Sequence, residues 1–237
     1  QTCALPISYV DQIWKLGSGG KPMPGVTVRT GDMDELLYCG RNVMMGYLKM
    51  PEETKEILDE DGWIHSGDQG RVDEDGFVYM TGRLKELIVT SGGENVAPVI
   101  IENKLLELLP EVSNAIVVGD RKNYLSCMFC LHTEVDPVSG EPTNKLAPAV
   151  IEKSKELGSV ATTCEQAAHD PLWHDYLGKG VEKYNKEFAI SNAQNIRTWI
   201  ILERDISLER GELTATMKMK RSVVMRHCEK EISKLYS

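Results

Sequence analysis

The sequence predicts an α+β fold, in which strands and helices are mixed along the chain without an internal repeat. One basis is a set of short apolar runs, such as 115–118 and 125–131, that favour buried strands. A second is the spacing of Ile101, Leu105 and Leu108, which is typical of a helix. The third is composition. Across 237 residues, 41% are hydrophobic and 27% charged, which excludes a disordered tail, a collagen-like repeat and a disulfide-dense miniprotein.

The first part of the chain predicts short elements joined by glycine-rich turns. Residues 17–31 favour a turn-rich loop that enters a strand, without the GxxxxGK[ST] order of a phosphate-binding loop. Residues 51–58 favour a helix, because a proline stands at its start and glutamates follow in its first turn. Further short strands are expected at 36–39, 77–80 and 87–90.

Longer helices and buried strands are expected in the second part. The first of these helices begins at Pro98 and ends near Pro110, because proline cannot continue a helix. The remaining expected elements are strands at 115–118, 125–131 and 198–202, and helices at 146–157, 172–188 and 219–236.

The charge balance argues against a protein that mainly binds nucleic acid. The chain carries 27 Lys and Arg against 36 Asp and Glu, a net charge of −9. Residues 210–234 reverse this balance locally, with seven Lys or Arg against three acidic residues. This basic stretch can meet phosphates or an anionic membrane surface, and we favour a role in an active site.

The cysteines and the hydropathy predict a cytoplasmic protein, with peripheral contact at a membrane surface left open. No apolar run reaches the length of a membrane span, and no export signal is found. The six cysteines lack the spacing of a disulfide framework. Cys127 and Cys130 form a single CxxC pair, which we interpret as buried strand thiols because no second pair completes a zinc site.

Residues 1–7 read Gln-Thr-Cys-Ala-Leu-Pro-Ile, which is what the sequencing-adapter string CAGACGTGTGCTCTTCCGATCT encodes. We therefore expect that residues 1–7 derive from adapter sequence and that the chain is the carboxyl-terminal part of a longer protein. An ordinary loop is the alternative.

Three clusters of residues could carry chemistry. In 62–68, glycines flank a short turn that ends on Asp68, a carboxylate able to accept hydrogen bonds from paired hydroxyls; His65 stands three residues away, with no serine placed for a hydrolase triad. In 81–95, glycine turns bracket a strand with cations at one end, where an ordinary hairpin is the alternative. In 218–221, lysines precede a helix, where a solvated face is the alternative.

Taken in order, these clusters resemble the carboxyl-terminal motifs of the acyl-adenylate-forming (AMP-binding) enzymes. Within that superfamily, residues 84–96, 139–142 and the helical insert before Ile196 look most like the bubblegum-type long-chain acyl-CoA synthetases. The resemblance covers residues 8–237. Its motifs lie at 40–47, Pro51, Thr54, 61–63, 65–68, 76–77, 81–85, Pro98 and 101–102.

The resemblance implies a fatty acid–CoA ligase, an acid–thiol ligase that works in two steps. A fatty acid reacts with ATP to give an acyl-adenylate and pyrophosphate, and coenzyme A then displaces AMP. By position, Asp68 would hold the ribose hydroxyls and Arg83 would assist at the nucleotide. Lys218 matches the catalytic lysine of the Lys-x-x-Arg ending, in which Arg221 takes the last place, and Lys220 is its rival.

The resemblance also implies a division of the chain into the end of a large AMP-binding domain, 8–84, and a complete small mobile domain, 86–237. Lys85 stands at the hinge between them. Ser91, Gly92 and Gly93 would border the tunnel through which coenzyme A reaches the site.

Much of the family's machinery would lie before Ser8, including the ATP loop, the Mg²⁺ ligands and most of the acyl pocket. We therefore assign no metal ligand to this chain, and we expect activity from the parent enzyme and none from residues 1–237 alone. The expected ligands are fatty acid, ATP and coenzyme A, without nucleic acid or an obligate protein partner. Two alternatives stay open: another adenylate-forming enzyme, such as a coumarate ligase, a luciferase-like enzyme or a peptide-synthetase domain, and a non-catalytic module that binds acyl-CoA or a partner protein.

Overall fold

Each of two units of the chain has its own sheet, and the division falls between Leu87 and Ile88. The computed structural model describes residues 7–8 and 14–237. Residues 1–6 of the expected adapter-derived segment lie outside the described residues. The backbone of Ile7–Ser8 (β1) pairs with Lys21–Pro22 (β2).

The first unit is built on a four-stranded antiparallel sheet in the order β3-β4-β5-β6. Leu36, Tyr38 and Val78 form its small buried core. A short helix, Pro51–Ile57 (α1), begins with proline at its first turn, as the sequence predicts. The four strands are Val26–Thr30 (β3), Glu35–Gly40 (β4), Ile64–Val72 (β5) and Val78–Arg83 (β6).

The strand β5 corrects the interpretation of residues 62–68 as a short turn. Most of this segment belongs to a nine-residue strand, in which the residues before and after Gly67 pair with β4. Gly67 has φ +69°, a left-handed conformation that glycine adopts at little cost. The glycine therefore marks a local irregularity inside a strand, which the sequence pattern alone cannot distinguish from a turn.

The second unit is built on a three-stranded sheet in the order β13-β10-β9. The central strand, Leu125–Leu131 (β10), is buried along its whole length. It pairs antiparallel with Val112–Val118 (β9) and parallel with Ile196–Ile201 (β13). Both faces of this sheet are covered, which is why β10 reads as a continuous apolar run.

Helices cover the two faces of this sheet. Pro98–Leu108 (α2), Pro148–Leu157 (α3), Cys164–Ala168 (α4) and Pro171–Glu187 (α5) supply buried residues to the core on one face. Arg221–His227 (α6) and Glu229–Leu235 (α7) supply them on the other face. The second unit also has two hairpins, whose strands are Ile88–Val89 (β7) with Asn95–Val96 (β8), and Thr133–Val135 (β11) with Pro142–Leu146 (β12).

The predicted mixture of strands and helices is confirmed, with differences in detail. The predicted helix at 219–236 is two helices, because the backbone leaves helical geometry at Cys228. Helix α4 and the β11–β12 hairpin were not predicted, since both are short and amphipathic periodicity needs longer segments to be recognised. No helix among the described residues is long and apolar enough to cross a membrane.

Cys127 and Cys130 are buried thiols of β10, and they pack into the cores on opposite faces of the sheet. This arrangement follows from the alternation of side chains along a strand. Burial raises the pKa of both thiols well above the usual value. A CxxC spacing brings two thiols together in a turn, whereas in this strand it separates them.

Candidate active site

Asp68 and Arg83 lie opposite each other on neighbouring strands of the first unit. They are register partners on β5 and β6, and Arg83 Nε lies 3.4 Å from Asp68 Oδ1. The Asp68 side chain is 21% exposed and that of Arg83 is 51% exposed. The structure thus brings together the two residues for which the sequence predicts a nucleotide-binding role. That role stays a prediction.

A cleft of about 640 Å³ opens beside this pair, and His65 and Lys85 also line it. Burial raises the pKa of the Asp68 carboxyl, and the positive charge of Arg83 offsets this only in part. An ionised carboxylate at the wall of a cleft can accept hydrogen bonds from two adjacent hydroxyls. Asp68 is placed for such a contact.

Lys218 lies on a tight loop that precedes the last two helices. Leu213 and Met219 form an antiparallel bridge at the base of this loop, and Met217 has φ +60°. The Thr214 N–H donates to the Lys218 carbonyl at 2.8 Å, and the Lys218 N–H donates to the Thr214 hydroxyl at 3.0 Å. The backbone of Lys218 is therefore fixed, while its side chain is exposed.

The two cations that follow have different surroundings. Lys220 is exposed, and its N–H donates to the Glu212 carbonyl at 2.7 Å. Arg221 is 14% exposed; its Nη2 lies 2.6 Å from Glu102 Oε2, and its Nη1 donates to the Val117 carbonyl at 3.1 Å. Arg221 thus anchors α6 to α2 and β9. Neither lysine forms an ion pair within the part of the chain that the structure describes.

A buried carboxylate, Glu212, organises the base of the Lys218 loop, and sequence reasoning missed it. Its side chain is fully buried, and Arg204 donates to it through Nη1 at 2.9 Å and Nη2 at 2.7 Å. Arg210 Nε lies 3.1 Å and His227 Nδ1 3.0 Å from its oxygens. The Ser207 N–H donates to it at 3.0 Å.

These contacts decide the charge state of Glu212. Burial alone would raise the pKa of the carboxyl, but the hydrogen bonds from Arg204, His227 and the Ser207 N–H outweigh it and lower that pKa to about 2. In the sequence, Glu212 is one of three acidic residues in the basic stretch 210–234, where it only reduces the net positive charge. Its partners are spread from 204 to 227, so spacing gives no signal of the cluster.

Ser91, Gly92 and Gly93 form the exposed turn of the β7–β8 hairpin. The Ser91 N–H donates to the Lys122 carbonyl at 3.0 Å, and the Ser91 hydroxyl donates to Asn123 Oδ1 at 2.8 Å. Gly93 has φ +79°, whereas a Cβ added at Gly92 would meet no atom closer than 3.8 Å. The segment has the shape of an ordinary hairpin, and its role at a coenzyme A tunnel stays a prediction.

Lys85 is exposed and belongs to a 3₁₀ turn, Leu84–Glu86, which the Leu87 N–H closes by donating to the Leu84 carbonyl at 3.2 Å. The division between the two units follows at Leu87 and Ile88. The hinge role of Lys85 stays a prediction.

No group of three His, Cys, Asp or Glu side chains is arranged to hold a metal ion within the described residues. No chemical step is assigned to a metal through the residues present.

Comparison with known families identifies residues 85–168 as an AMP-binding enzyme C-terminal domain. Curated relatives match nearly the whole chain. The long-chain-fatty-acid–CoA ligase ACSBG2 of Gallus gallus is 43% identical over 96% of this chain, which covers 31% of that protein. The protein of the same name from Xenopus laevis is 40% identical over 99% of this chain, which covers 32% of it.

Solved structures share the fold. The adenylation domain of a carboxylate reductase from Mycobacterium chelonae matches 94% of this chain and 33% of its own, with a TM-score of 0.65 and 21% identity. O-succinylbenzoate coenzyme A synthetase from Bacillus subtilis, in complex with AMP, matches 93% of this chain and 38% of its own, with a TM-score of 0.57 and 22% identity. The family match and the curated relatives confirm the resemblance to the adenylate-forming (AMP-binding) superfamily and to its bubblegum-type members, and the solved structures show the same fold.

Proposed function

We propose that this chain works as part of a long-chain fatty acid–CoA ligase. A carboxylate oxygen of the fatty acid attacks the α-phosphate of ATP and pyrophosphate leaves; the sulfur of coenzyme A then attacks the acyl carbonyl and AMP leaves. The observation that carries the proposal is the 43% identity to a long-chain-fatty-acid–CoA ligase over 235 residues. The chain spans about a third of the length of its curated relatives, so the activity is proposed for the longer protein.

The domain assignment belongs to the same proposal. Residues 8–84 would be the end of the large AMP-binding domain, Lys85 the hinge, and 86–237 a complete small domain that moves between the two half-reactions. The match to a C-terminal domain from residue 85 and the division of the structure at 87 and 88 support this assignment.

Within that enzyme, the residues of this chain bind and orient the nucleotide. Asp68 accepts hydrogen bonds from the ribose hydroxyls, and Arg83 holds the Asp68 carboxylate and assists at the nucleotide. The exposed ammonium of Lys218 stabilises the negative charge that develops between the fatty acid carboxylate and the α-phosphate. Mg²⁺ would neutralise phosphate charge at such a site, and no residue of this chain is assigned to hold it.

The free cysteines and the basic stretch 210–234 support proposals about the cellular location of the protein and about its ligands. Cys39, Cys127, Cys130, Cys164 and Cys228 are free thiols, which supports a cytoplasmic location. In the basic stretch 210–234, Arg210 pairs with Glu212 and Arg221 with Glu102. These two arginines form ion pairs within the second unit. The exposed lysines of the stretch can bind phosphates or contact an anionic membrane surface.

Asp68→Ala is expected to weaken ATP binding by about 1.5–3 kcal/mol, because two hydroxyls lose a charged hydrogen-bond acceptor. The KM for ATP in fatty-acid-dependent ATP–pyrophosphate exchange measures this, and the melting temperature should change little. Asp175→Ala, at an exposed aspartate of α5, is the matched control. A large fall in melting temperature with unchanged KM would assign Asp68 to folding alone.

Gly92→Leu and Lys85→Pro are expected to spare ATP–pyrophosphate exchange and to impair transfer of the acyl group to coenzyme A. Leucine at Gly92 would fill the tunnel, and the open space around Gly92 means that the hairpin tolerates a side chain. Proline at Lys85 fixes φ near −65° and restricts the hinge. Gly92→Ala and Lys85→Ala are the controls. Normal thioester formation by both test variants would contradict the tunnel and hinge roles.

A further inference from the structure

Asp68 lies in a three-residue bulge of β5. Across the β4–β5 pair, Glu35 is the partner of Gln69 and Leu37 is the partner of His65. The single residue Leu36 of β4 therefore stands opposite the three residues 66–68 of β5. Bulges near functional sites change the direction of a side chain, and they leave backbone groups without ladder partners.

Side-chain oxygens accept hydrogen bonds from two backbone N–H groups of this bulge. The Gly67 N–H donates to Glu35 Oε1 at 2.8 Å, and the Asp68 N–H donates to the Ser66 hydroxyl oxygen at 3.0 Å. The Ser66 hydroxyl in turn donates to the Leu36 carbonyl at 2.6 Å. Two side chains thus replace the missing ladder bonds immediately before and at Asp68.

Of the two side chains that accept these hydrogen bonds, Glu35 is a carboxylate that is mostly buried. Its side chain is only 13% exposed, and both of its oxygens are used, because Oε2 lies 2.9 Å from His65 Nδ1. His65 Nε2 lies 3.7 Å from Asp59 Oδ2. The Glu35 carboxylate therefore holds both His65, which directly precedes the bulge, and Gly67, the left-handed residue at its centre.

We propose that Glu35 is a positioning residue, which acts on the nucleotide through Asp68 by fixing the bulge that carries it. This inference rests on the proposed function, because it takes Asp68 as the acceptor for the ribose hydroxyls. Glu35 has no contact with substrate in this role. It reduces the freedom of the backbone at Gly67, so that the Asp68 carboxylate is already oriented when the nucleotide arrives.

The charges around Asp68 predict that nucleotide binding depends on pH, and that this dependence changes when Glu35 is substituted. Burial and the negative charges of Glu86 and Glu35 raise the pKa of Asp68, and Arg83 lowers it. Nucleotide binding that needs the ionised carboxylate weakens as pH falls through this raised pKa. Removing the charge of Glu35 lowers the pKa of Asp68, which moves the acidic limb of the binding profile to lower pH. The other charged or titratable groups that line the cleft are Tyr38, Tyr47, Glu56, His65 and Lys85.

The test compares two substitutions of Glu35 in the full-length protein. Glu35→Ala is expected to raise the KM for ATP, and the Kd for AMP, about 10- to 100-fold, the range for hydrogen bonds to a charged group. Glu35→Gln keeps an oxygen for the Gly67 N–H, so most of this loss should be recovered and the acidic limb should move to lower pH. Glu53→Ala, at an exposed glutamate of α1, is the matched control.

A double substitution separates a positioning role from a merely structural one. Because Glu35 acts through Asp68, Glu35→Ala added to Asp68→Ala should cost no further AMP affinity. Additive losses, an unchanged Kd in Glu35→Ala, or a Gln variant as weak as the Ala variant with no shift of the acidic limb would overturn the inference. Absence of AMP binding by the wild-type protein would overturn it as well. Absence of fatty-acid-dependent exchange with AMP binding intact would contradict only the proposed function.

Discussion

Lys218→Ala is expected to reduce acyl-adenylate formation about 100-fold or more, the scale of losing one main electrostatic contact in a transition state. The loss should be specific to this step, because the Lys218 side chain is exposed and only its backbone contributes to the loop. Fatty-acid-dependent ATP–pyrophosphate exchange by the full-length enzyme measures the first step. Conversion of supplied acyl-adenylate to acyl-CoA measures the second step, which should change much less.

Lys220→Ala and Lys230→Ala complete this experiment. Lys220 is the rival for the catalytic position and is also exposed, whereas Lys230 is an exposed lysine of α7 outside the loop. A selective loss in Lys220→Ala would transfer the role to Lys220. Equal losses in both half-reactions of Lys218→Ala would indicate a general defect and contradict the catalytic assignment.

Glu212→Gln is expected to destabilise the second unit by about 3–5 kcal/mol at neutral pH, the cost of breaking a buried ion pair on one side. The substitution leaves Arg204 and Arg210 without their shared carboxylate and weakens the base of the Lys218 loop. Urea unfolding at pH 7 measures the change. Glu203→Gln, which removes an exposed partner of His169, is the control and should cost less than about 1 kcal/mol.

The effect of Glu212→Gln should depend on pH in a defined direction. The pKa of Glu212 is lowered from 4.5 to about 2 in the folded protein, so its contribution is complete above about pH 4.5. That contribution is lost as pH falls from about 4.5 towards 2, where the native carboxylate takes up a proton. The difference between wild type and variant should therefore shrink across this window. A difference that is constant with pH would show that lost packing, and not the charge, sets the cost.

Structural elements could be predicted from the sequence where local residue types determine the conformation. Two helices begin at the predicted residues, Pro51 and Pro98, and the uninterrupted apolar run 125–131 forms the buried central strand. Such features are fixed by proline geometry and by burial on both faces of a sheet, which depend little on distant residues.

The parts that the sequence could not predict depend on contacts between distant residues. The sequence predicts a turn at Asp68 because the preceding Gly67 is a residue type typical of turns; only the pairing of Glu35 with Gln69 in the structure reveals a bulge inside a strand. The sequence shows Glu212 only as one of three acidic residues in the basic stretch 210–234, because its partners Arg204 and His227 approach it only in the folded unit. Both carboxylates act through tertiary hydrogen bonds, which leave no periodic signal in the sequence.

The most direct test of the proposed ligase is ATP–pyrophosphate exchange by the full-length protein with palmitate, followed by mass spectrometry of the product formed after coenzyme A is added. We expect exchange that depends on palmitate and formation of palmitoyl-CoA with release of AMP. Exchange driven by coumarate and not by palmitate would indicate another adenylate-forming ligase. No exchange with any carboxylic acid by a folded protein would contradict the catalytic function altogether.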